Sequence, residues 1–553
     1  MKKQYIFFYL FWAVLIFPNL VLAFTEPMCV WGKITLIVLP LSVYGLFLTW
    51  SAKPGKVLWS LFPILFLGAF QLVLTYLFGK GVIAVDMWLN LVTTNAGEVQ
   101  ELLSQLGPAI ALVSGIYIPV LVAGVLSIQS KSSLPYSFRL RYRKISLGLL
   151  LAGVLLLFVS YVASPSYRMQ DDLFPVNVCY NGHLASERCK VTNGYKEAVK
   201  DFRYEAVATH QDSIPEIIVM VIGETSRAMN WELYGYYRNT NPGLKQEASL
   251  LVYKDELSQS NTTHKSVPIL LSPAGAESYE MLYKSKGILS AYREAGYYTC
   301  FYSNQQRNHS FIDFLGEQAD ECCFIREEVS PKTEDGELLN YLKRVLGKGH
   351  LRLFVVLHTY GSHFNYHDRY SEKEAYFLPD RITDAEKKYR SVLVNAYDNS
   401  IRETDRFLTS IICLLKQTEA CAAMLYTSDH GEDIFDDERN LFLHASPYPT
   451  YYQLHVPLLI WTSAAYDSLH SQEREQLALH CDTPISSHCI FHTLLGMGGI
   501  QTPYRNDSLS LASNLFYLRE RYYLDDHNEA CRLKDCLEKQ DLEWFKIKGL
   551  SYE

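Results

Sequence analysis

The sequence lacks three features, and each absence argues against a class of protein or site. Basic residues are not in excess: the net charge at pH 7 is −8, whereas a nucleic-acid partner requires a basic face that neutralises phosphates. No CxxC…CxxC spacing occurs among the 12 cysteines, which argues against a zinc site built from cysteines. Long apolar runs are nearly confined to the residues before Ala163, so we expect the remainder to be a soluble domain.

Length and apolar runs predict a membrane domain and at least one further domain. A chain of 553 residues is too long for a single core. Five apolar runs have about the 20 residues needed to cross the hydrocarbon layer: 5–24, 34–50, 57–78, 109–128 and 145–163. A cleaved signal peptide is the alternative for the first run, but this run is longer than a signal core of about 7–15 residues. We therefore expect residues 1–164 to form a five-helix transmembrane domain.

Positive charge predicts the orientation of these helices. Lys53 and Lys56 lie between the second and third runs. The loop between the fourth and fifth runs is more basic still, with Lys131, Arg139, Arg141, Arg143 and Lys144. Both loops are expected in the cytoplasm, so five crossings place everything after Ala163 outside it.

Cysteine spacing is typical of an oxidising compartment. Only Cys29 precedes the soluble part, and eight of the other cysteines form close pairs: Cys179/Cys189, Cys413/Cys421, Cys481/Cys489 and Cys531/Cys536. We expect short disulfide loops at these pairs, with free buried cysteines as the alternative.

The segment 82–106, between the third and fourth runs, is amphipathic. Asn90, Thr94 and Glu98 are four residues apart and share one face of a helix. Such a polar stripe is most often the wet side of a helix at the membrane interface. A ligand-binding role for the three residues is the alternative reading.

After a connector at 165–214, the pattern predicts an α/β domain over 215–553. Four apolar runs indicate buried strands: 216–222, 353–357, 422–426 and 456–461. Longer mixed segments, such as the helical pattern at 386–409, separate them. This alternation favours a largely parallel sheet.

Polar side chains follow these predicted strands, where ligands gather in open α/β sheets. Glu224 follows the first strand, His358 and His363 follow the second, and Asp429 with His430 follows the third. His444 comes soon after. Each residue alone has an ordinary interpretation, because Glu224 can cap a helix and an Asp-His pair can close a turn.

Thr263 is the candidate nucleophile, in the hydroxyl-rich stretch 261–268. A threonine hydroxyl reacts at neutral pH only when a base or a metal ion removes its proton. Carboxylate, imidazole and hydroxyl groups are zinc ligands. We therefore predict a zinc site formed by Glu224, Asp429, His430 and the Thr263 oxygen.

Taken together, these motifs resemble the phosphoethanolamine transferases of the alkaline phosphatase/sulfatase superfamily, which include the lipid A-modifying enzymes behind polymyxin and colistin resistance. The resemblance runs from the membrane helices to about Ser510. It is most specific at 223–227 (GETSR), 236–242 (YYRNTNP), 263–268 (THKSVP), 394–400 (VNAYDNS) and 428–432 (SDHGE). It implies five membrane helices followed by a periplasmic α/β/α domain, in the bacterial inner membrane.

The resemblance also implies roles for matching residues. Thr263, and not Thr262, aligns with the nucleophile. The predicted ligands align with those of the activating zinc, and three histidines align with or lie beside groups that bind the transferred moiety or a second zinc: His358, His363 and His444. The membrane-proximal set Asn90, Thr94 and Glu98 matches residues linked to substrate binding.

The implied reaction moves phosphoethanolamine from phosphatidylethanolamine to Thr263, and then to lipid A or to the core oligosaccharide. The acceptor stays open, because the cysteines that flank the nucleophile in many lipid A enzymes are absent. A phosphoglycerol transferase of the lipoteichoic acid synthase type and a non-catalytic lipid-binding receptor are the alternatives. No Cys-x-Pro-x-Arg stretch is present, which argues against a sulfatase.

Overall fold

The computed structural model describes residues 2–93, 107–210, 214–328, 334–382 and 385–552. Contacts divide the chain into two compact units. The first comprises Met1–Val92, Leu102–Arg188 and Arg439–Leu441, and the second Thr93–Glu101, Cys189–Glu438 and Phe442–Glu553. The predicted connector at 165–214 stays a prediction.

The regular secondary structure of the described residues up to Ala198 is entirely helical. The helices are α1 (Lys2–Thr25), α2 (Val30–Leu48), α3 (Pro54–Ser60), α4 (Phe62–Phe78), α5 (Val85–Thr93), α6 (Gly107–Gln129), α7 (Tyr136–Ala163), α8 (Met169–Asp172) and α9 (Val176–Ala198). Among the described residues, α1, α2, α6 and α7 are each long and apolar enough to cross a membrane. The chain is therefore a multi-pass membrane protein, as predicted.

The third predicted crossing is bent. Helices α3 and α4 meet at 66° and count as a fifth span if the pair crosses together. Pro63 is the second residue of α4. Because proline has no N–H and its ring clashes with the carbonyl four residues earlier, Pro63 favours a break between the two helices.

The predicted substrate-binding set near the membrane is only partly described. Asn90 lies in α5, and only the backbone of this residue is described. Thr94 and Glu98 lie outside the described residues. Their role stays a prediction.

The second unit is built on an eight-stranded sheet, counted over the described residues, with the order β11-β3-β10-β7-β2-β6-β4-β5. The strands of the unit are β1 (Val207–Ala208), β2 (Glu216–Gly223), β3 (Leu250–Leu257), β4 (Tyr298–Ser303), β5 (Glu321–Phe324), β6 (Arg352–His358), β7 (Cys421–Ser428), β8 (Asp433–Ile434), β9 (Phe442–Leu443), β10 (His455–Thr462), β11 (Ile485–Ser486), β12 (Ile500–Gln501), β13 (Tyr522–Leu524) and β14 (Ala530–Arg532). Strand β2 is parallel to β6 and β7, whereas β10 is antiparallel to both neighbours. The predicted, largely parallel sheet is confirmed.

Helices cover both faces of this sheet. They are α10 (Thr263–Leu271), α11 (Ile288–Glu294), α12 (Phe311–Gly316), α13 (Ile325–Glu328), α14 (Leu338–Leu346), α15 (Arg390–Lys416), α16 (Tyr451–Leu454), α17 (Ala464–Leu469), α18 (Ser471–Leu479), α19 (Cys489–Met497), α20 (Leu533–Cys536) and α21 (Lys539–Lys548). Along β2, Met220 joins the core that contains α10, and its neighbour Val221 joins the core that contains α15. Because successive strand residues point to opposite faces, this double burial explains the uninterrupted apolar run. The predicted α/β/α architecture is confirmed.

The predicted disulfide loops are wrong, because all 12 cysteines are free thiols. Cys179 and Cys189 lie on the single helix α9. Ten residues of helix rise about 15 Å, whereas a disulfide needs Cα atoms about 4.4–6.8 Å apart. The Cys531 thiol donates to the Arg532 carbonyl and the Cys536 thiol donates to the Leu533 carbonyl, each at 3.6 Å, and no bond joins the two sulfur atoms.

Candidate active site

Glu224 lies directly after β2, at the carboxyl end of the sheet. Its side chain is buried and accepts hydrogen bonds from the Thr225 hydroxyl at 2.7 Å and from Nε2 of Gln305 at 2.9 Å. Gly361 packs on its backbone: a Cβ there would lie 2.6 Å from the Glu224 carbonyl oxygen, and the φ of +51° also favours glycine. The carboxylate is therefore held in one orientation.

Asp429 and His430 follow β7, the strand that pairs with β2. Oδ1 of Asp429 accepts the backbone N–H of Thr225 at 3.0 Å and that of His430 at 2.7 Å. Oδ2 is buried, has no hydrogen-bond partner among the described residues, and lies 3.2 Å from Nε2 of His430. An orphaned buried oxygen beside an imidazole nitrogen is what a metal ligand pair requires.

Thr263 is the first residue of α10 and is half-buried. Its hydroxyl oxygen lies 3.2 Å from Oε1 of Glu224, 3.4 Å from Oε2 of Glu224 and 3.1 Å from Nε2 of His430. The structure therefore brings the predicted nucleophile to two of its predicted ligands. Its position at a helix N-terminus also favours negative charge there.

The hydrogen bonds of His430 fix its tautomer. Nδ1 lies 2.9 Å from the Gly431 carbonyl oxygen, so Nδ1 carries the proton and donates it. Nε2 therefore presents its lone pair to Glu224, Asp429 and Thr263. A backbone acceptor behind the ring is the usual support of a metal-binding histidine.

The electrostatics of the group fit a cation. Burial, and then the charge of Asp429, raises the pKa of Glu224. Burial likewise raises the pKa of Asp429, while burial and the neighbouring His444 depress the pKa of His430. Two carboxylates crowded in a dry site repel each other, and a bound divalent ion would offset this cost.

Donor atoms of Glu224, His430 and His444 all lie within 4.8 Å of one another, so these residues can hold a metal ion.

His444 and His363 lie beside this group. The His444 ring is 4.2 Å from that of His430 and 5.9 Å from that of His363. Nδ1 of His444 is 3.3 Å from Oε1 of the buried Glu432, whose Oε2 accepts the Tyr366 hydroxyl at 2.6 Å. Both histidines are half-buried, so their rings are accessible to a substrate bound beside Glu224 and Asp429.

His358 occupies a different environment from these two histidines. It is the last residue of β6, fully buried, with Nδ1 3.1 Å from the Ser303 hydroxyl. Burial lowers its pKa to about 3, so the ring is neutral. Its described contacts, with Ser303 and Phe301, do not include a predicted ligand. Its role in substrate binding stays a prediction.

The sequence analysis did not identify two residues that orient side chains of the site, Gln305 beside Glu224 and Glu432 beside His444. Gln305 follows β4 and donates to both Glu224 and the Thr359 carbonyl, at 2.9 and 3.1 Å. No motif surrounds it, so the sequence offered no signal. Glu432 is the last residue of the SDHGE motif at 428–432. Its position between His430 and His444 in the sequence could have suggested that it supports one of these histidines.

Comparison with known proteins identifies the family. A family model described as Sulfatase matches residues 216–500, just over half of the chain. The chain belongs to the Sulfatase family. The match covers β2 through β12, and therefore every site residue described above.

Similar proteins bear out the resemblance to phosphoethanolamine transferases. The phosphoethanolamine transferase EptA of Escherichia coli strain K12 is 31% identical over 304 residues, which cover 52% of this chain and 54% of the relative. The chain thus matches about half the length of this curated relative. The predicted resemblance to phosphoethanolamine transferases is confirmed.

Solved structures show the same fold. The integral membrane lipooligosaccharide phosphoethanolamine transferase A of Neisseria meningitidis superposes with a TM-score of 0.73 at 22% identity, covering 91% of this chain and 98% of that one. The C-terminal periplasmic domain of EptC from Escherichia coli, solved as a complex with Zn, gives a TM-score of 0.53 at 23% identity, over 59% and 95% of the chains. A membrane part followed by a sulfatase-like α/β domain is therefore the shared architecture.

Proposed function

We propose that this protein is a zinc-dependent phosphoethanolamine transferase that uses Thr263 as its nucleophile. One observation carries the proposal: the Thr263 hydroxyl lies 3.2 Å from a carboxylate oxygen of Glu224 and 3.1 Å from the unprotonated nitrogen of His430. A threonine hydroxyl so placed, beside a base and metal-ligating groups, can be activated to attack phosphorus at neutral pH. The name of the Escherichia coli relative gives the transferred group.

Glu224, Asp429, His430 and the Thr263 oxygen would hold the zinc ion. Their carboxylate, imidazole and hydroxyl donors suit zinc, and the Zn-bound EptC domain supports this choice. When bound, the ion would lower the proton affinity of the hydroxyl and neutralise phosphate charge. His363 and His444, whose ring centroids are 5.9 Å apart, would bind a second ion or the phosphate itself.

The first half-reaction transfers the headgroup to the protein. Oγ1 of Thr263 attacks the phosphorus of phosphatidylethanolamine, a bond forms between them, and the bond to the diacylglycerol oxygen breaks. His444, with its Nδ1 directed by Glu432, accepts the proton that Oγ1 gives up and passes it to the departing diacylglycerol oxygen. The product is a phosphoethanolamine ester of Thr263.

The second half-reaction reverses these roles. His444, or His363 next to it, accepts the proton of an acceptor phosphate or sugar hydroxyl. The acceptor oxygen then attacks phosphorus and restores the Thr263 hydroxyl. We propose lipid A or the core oligosaccharide as the acceptor, in line with the lipooligosaccharide named for the Neisseria enzyme.

A bilayer location suits both lipid substrates. The basic residues near Lys53 and in the first part of α7, such as Arg141, support a cytoplasmic location for these ends of the helices, with the α/β unit in the periplasm and the helices in the inner membrane. We propose that Asn90, Thr94 and Glu98 serve to bind the phosphoethanolamine donor.

Mass spectrometry of envelope lipids and glycans tests the function. Cells producing the protein should gain the mass of phosphoethanolamine on lipid A or on the core, and cells producing Thr263→Ala should not. Thr262→Ser is the matched control, since it keeps the neighbouring hydroxyl, and it should transfer normally. A gain of phosphoglycerol instead, or transfer by Thr263→Ala, would overturn the proposal.

A further inference from the structure

A second group of metal-ligating side chains lies in the α/β unit. It is at the amino end of β2, whereas Thr263 and Glu224 lie at the carboxyl end. Glu216 is the first residue of β2, and Glu224 follows its last. Eight residues of strand rise about 25 Å, so the two groups cannot share an ion. Sequence motifs gave no indication of this second group.

The group consists of His210, Glu216 and His470. Nδ1 of His210 lies 2.8 Å from Oε1 of Glu216, and the two imidazole rings stack with centroids 3.7 Å apart. A donor atom from each of the three residues lies within 4.8 Å of the other two. Glu216 and His470 are buried, at 2% and 6% exposure.

The backbone holds the His210 ring in place. Strand β1 pairs with β12, and both the N–H and the hydroxyl of Thr209 donate to the Gly499 carbonyl, at 2.8 and 2.7 Å. The ring then rests on Gly499 itself: a Cβ there would lie 2.2 Å from the ring, and the φ is +57°. Glycine is therefore required beneath the histidine.

His470 is held equally firmly from the other side. It ends α17, its backbone N–H donates to the Tyr466 carbonyl at 2.8 Å, and its ring lies 5.0 Å from that of Tyr466. Ligands on fixed elements lose little conformational freedom on binding an ion. The three side chains are thus held close together, and a turn of one of the two stacked rings would direct both imidazole nitrogens at a common ion.

We propose that His210, Glu216 and His470 bind a divalent transition-metal ion of the zinc type. Two imidazole nitrogens and one carboxylate oxygen suit zinc, copper or nickel, and exclude ions that prefer all-oxygen sites, such as magnesium and calcium. A neutral imidazole nitrogen is the form of histidine that binds metal.

The ion would tie together three separate parts of the unit. His210 precedes β2, Glu216 begins it, and His470 lies between α17 and α18. A cross-link between segments 260 residues apart stabilises the folded state, since the unfolded chain has no preformed site. This role is structural and independent of the proposed catalytic function.

Metal analysis of the purified full-length protein in detergent tests the proposal. Wild-type protein should hold about one equivalent of zinc more than His470→Gln or Glu216→Gln, and Asp429→Ala should lose a different equivalent while keeping this one. His480→Gln is the matched control, a buried histidine bonded to the Leu511 carbonyl, and it should keep the wild-type content. Unchanged zinc in His470→Gln and Glu216→Gln would mean that His210 and Glu216 form an ion pair only.

Two further measurements keep the test decisive if a variant folds poorly. A chelator should lower the thermal midpoint of Asp429→Ala, and adding His470→Gln should abolish that shift. Crystals of the wild-type protein should show anomalous scattering at the zinc edge between His210 and His470. The absence of that peak at saturating zinc would overturn the proposal.

Discussion

Thr263 and His430 are 167 residues apart in the sequence, and yet the Thr263 hydroxyl lies 3.1 Å from Nε2 of His430. Thr263 follows β3 and His430 follows β7, and the sheet order separates these strands only by β10. Strand β2, which precedes Glu224, is the neighbour of β7 on the other side. The loops that follow β2, β3 and β7 therefore meet at the carboxyl ends of these strands. The sheet order is thus what makes the site.

Gln305 is expected to orient Glu224 for metal binding. Gln305→Ala removes the 2.9 Å hydrogen bond to Glu224, and losing such a support typically lowers metal affinity or activity about 10–100-fold. Zinc titration of the purified protein measures the affinity. Gln306→Ala, at the adjacent half-buried position, is the control and should bind zinc as the wild type does. Equal affinity in both variants would contradict a supporting role for Gln305.

Glu432 is expected to affect turnover rather than metal content. Glu432→Gln weakens the contact that directs Nδ1 of His444, so the transfer rate should fall about 100-fold, the lower end of the range for a positioned acid or base. Tyr366→Phe removes only the hydrogen bond to the other oxygen of Glu432 and should have a smaller effect. Initial rates and zinc content measured on the same samples check this. Loss of zinc alongside rate would show that Glu432 acts on the metal site instead.

Glu256 is expected to make stability depend on pH. It is fully buried on β3, neither carboxylate oxygen has a hydrogen-bond partner among the described residues, and burial raises its pKa to about 8, although Arg521 opposes the shift. Protonated Glu256 stabilises the fold, and this contribution is complete below the unfolded-state pKa of about 4.3 and is lost as pH rises through about 8.

Glu256→Gln removes this dependence, because the amide does not ionise. Its free energy of unfolding should match that of the wild type near pH 5 and exceed it by about 1–3 kcal/mol near pH 9, the cost of an unsatisfied buried polar group. Thermal midpoints across this pH range measure the difference. A constant offset between the two proteins at every pH would refute the assignment.

Much of the sheet and part of the site could be predicted from the sequence. Residues 217–222 of β2 are all apolar because helices cover both faces of the strand, and Glu224 marks its end by being the first charged residue after it. Asp429 marks β7 in the same way. Periodicity and strand ends are local signals, so one chain is enough to read them.

Long-range contacts could not be read in this way. Gln305 lies 81 residues from Glu224, and nothing around it indicates the hydrogen bond between them. The paired spacing of Cys179 and Cys189 suggested a disulfide, but a helix keeps those residues apart. Spacing along a chain translates into distance only once the intervening secondary structure is known.

The covalent state of Thr263 tests the central claim most directly. Purified protein would be mixed with phosphatidylethanolamine vesicles and no acceptor, quenched, digested and examined by mass spectrometry of the peptide containing 261–268. We expect phosphoethanolamine on Thr263 in the wild type and in Thr262→Ser, and none in Thr263→Ala. Phosphoethanolamine on any other residue, or an unmodified wild-type peptide from protein that transfers the group, would contradict the account.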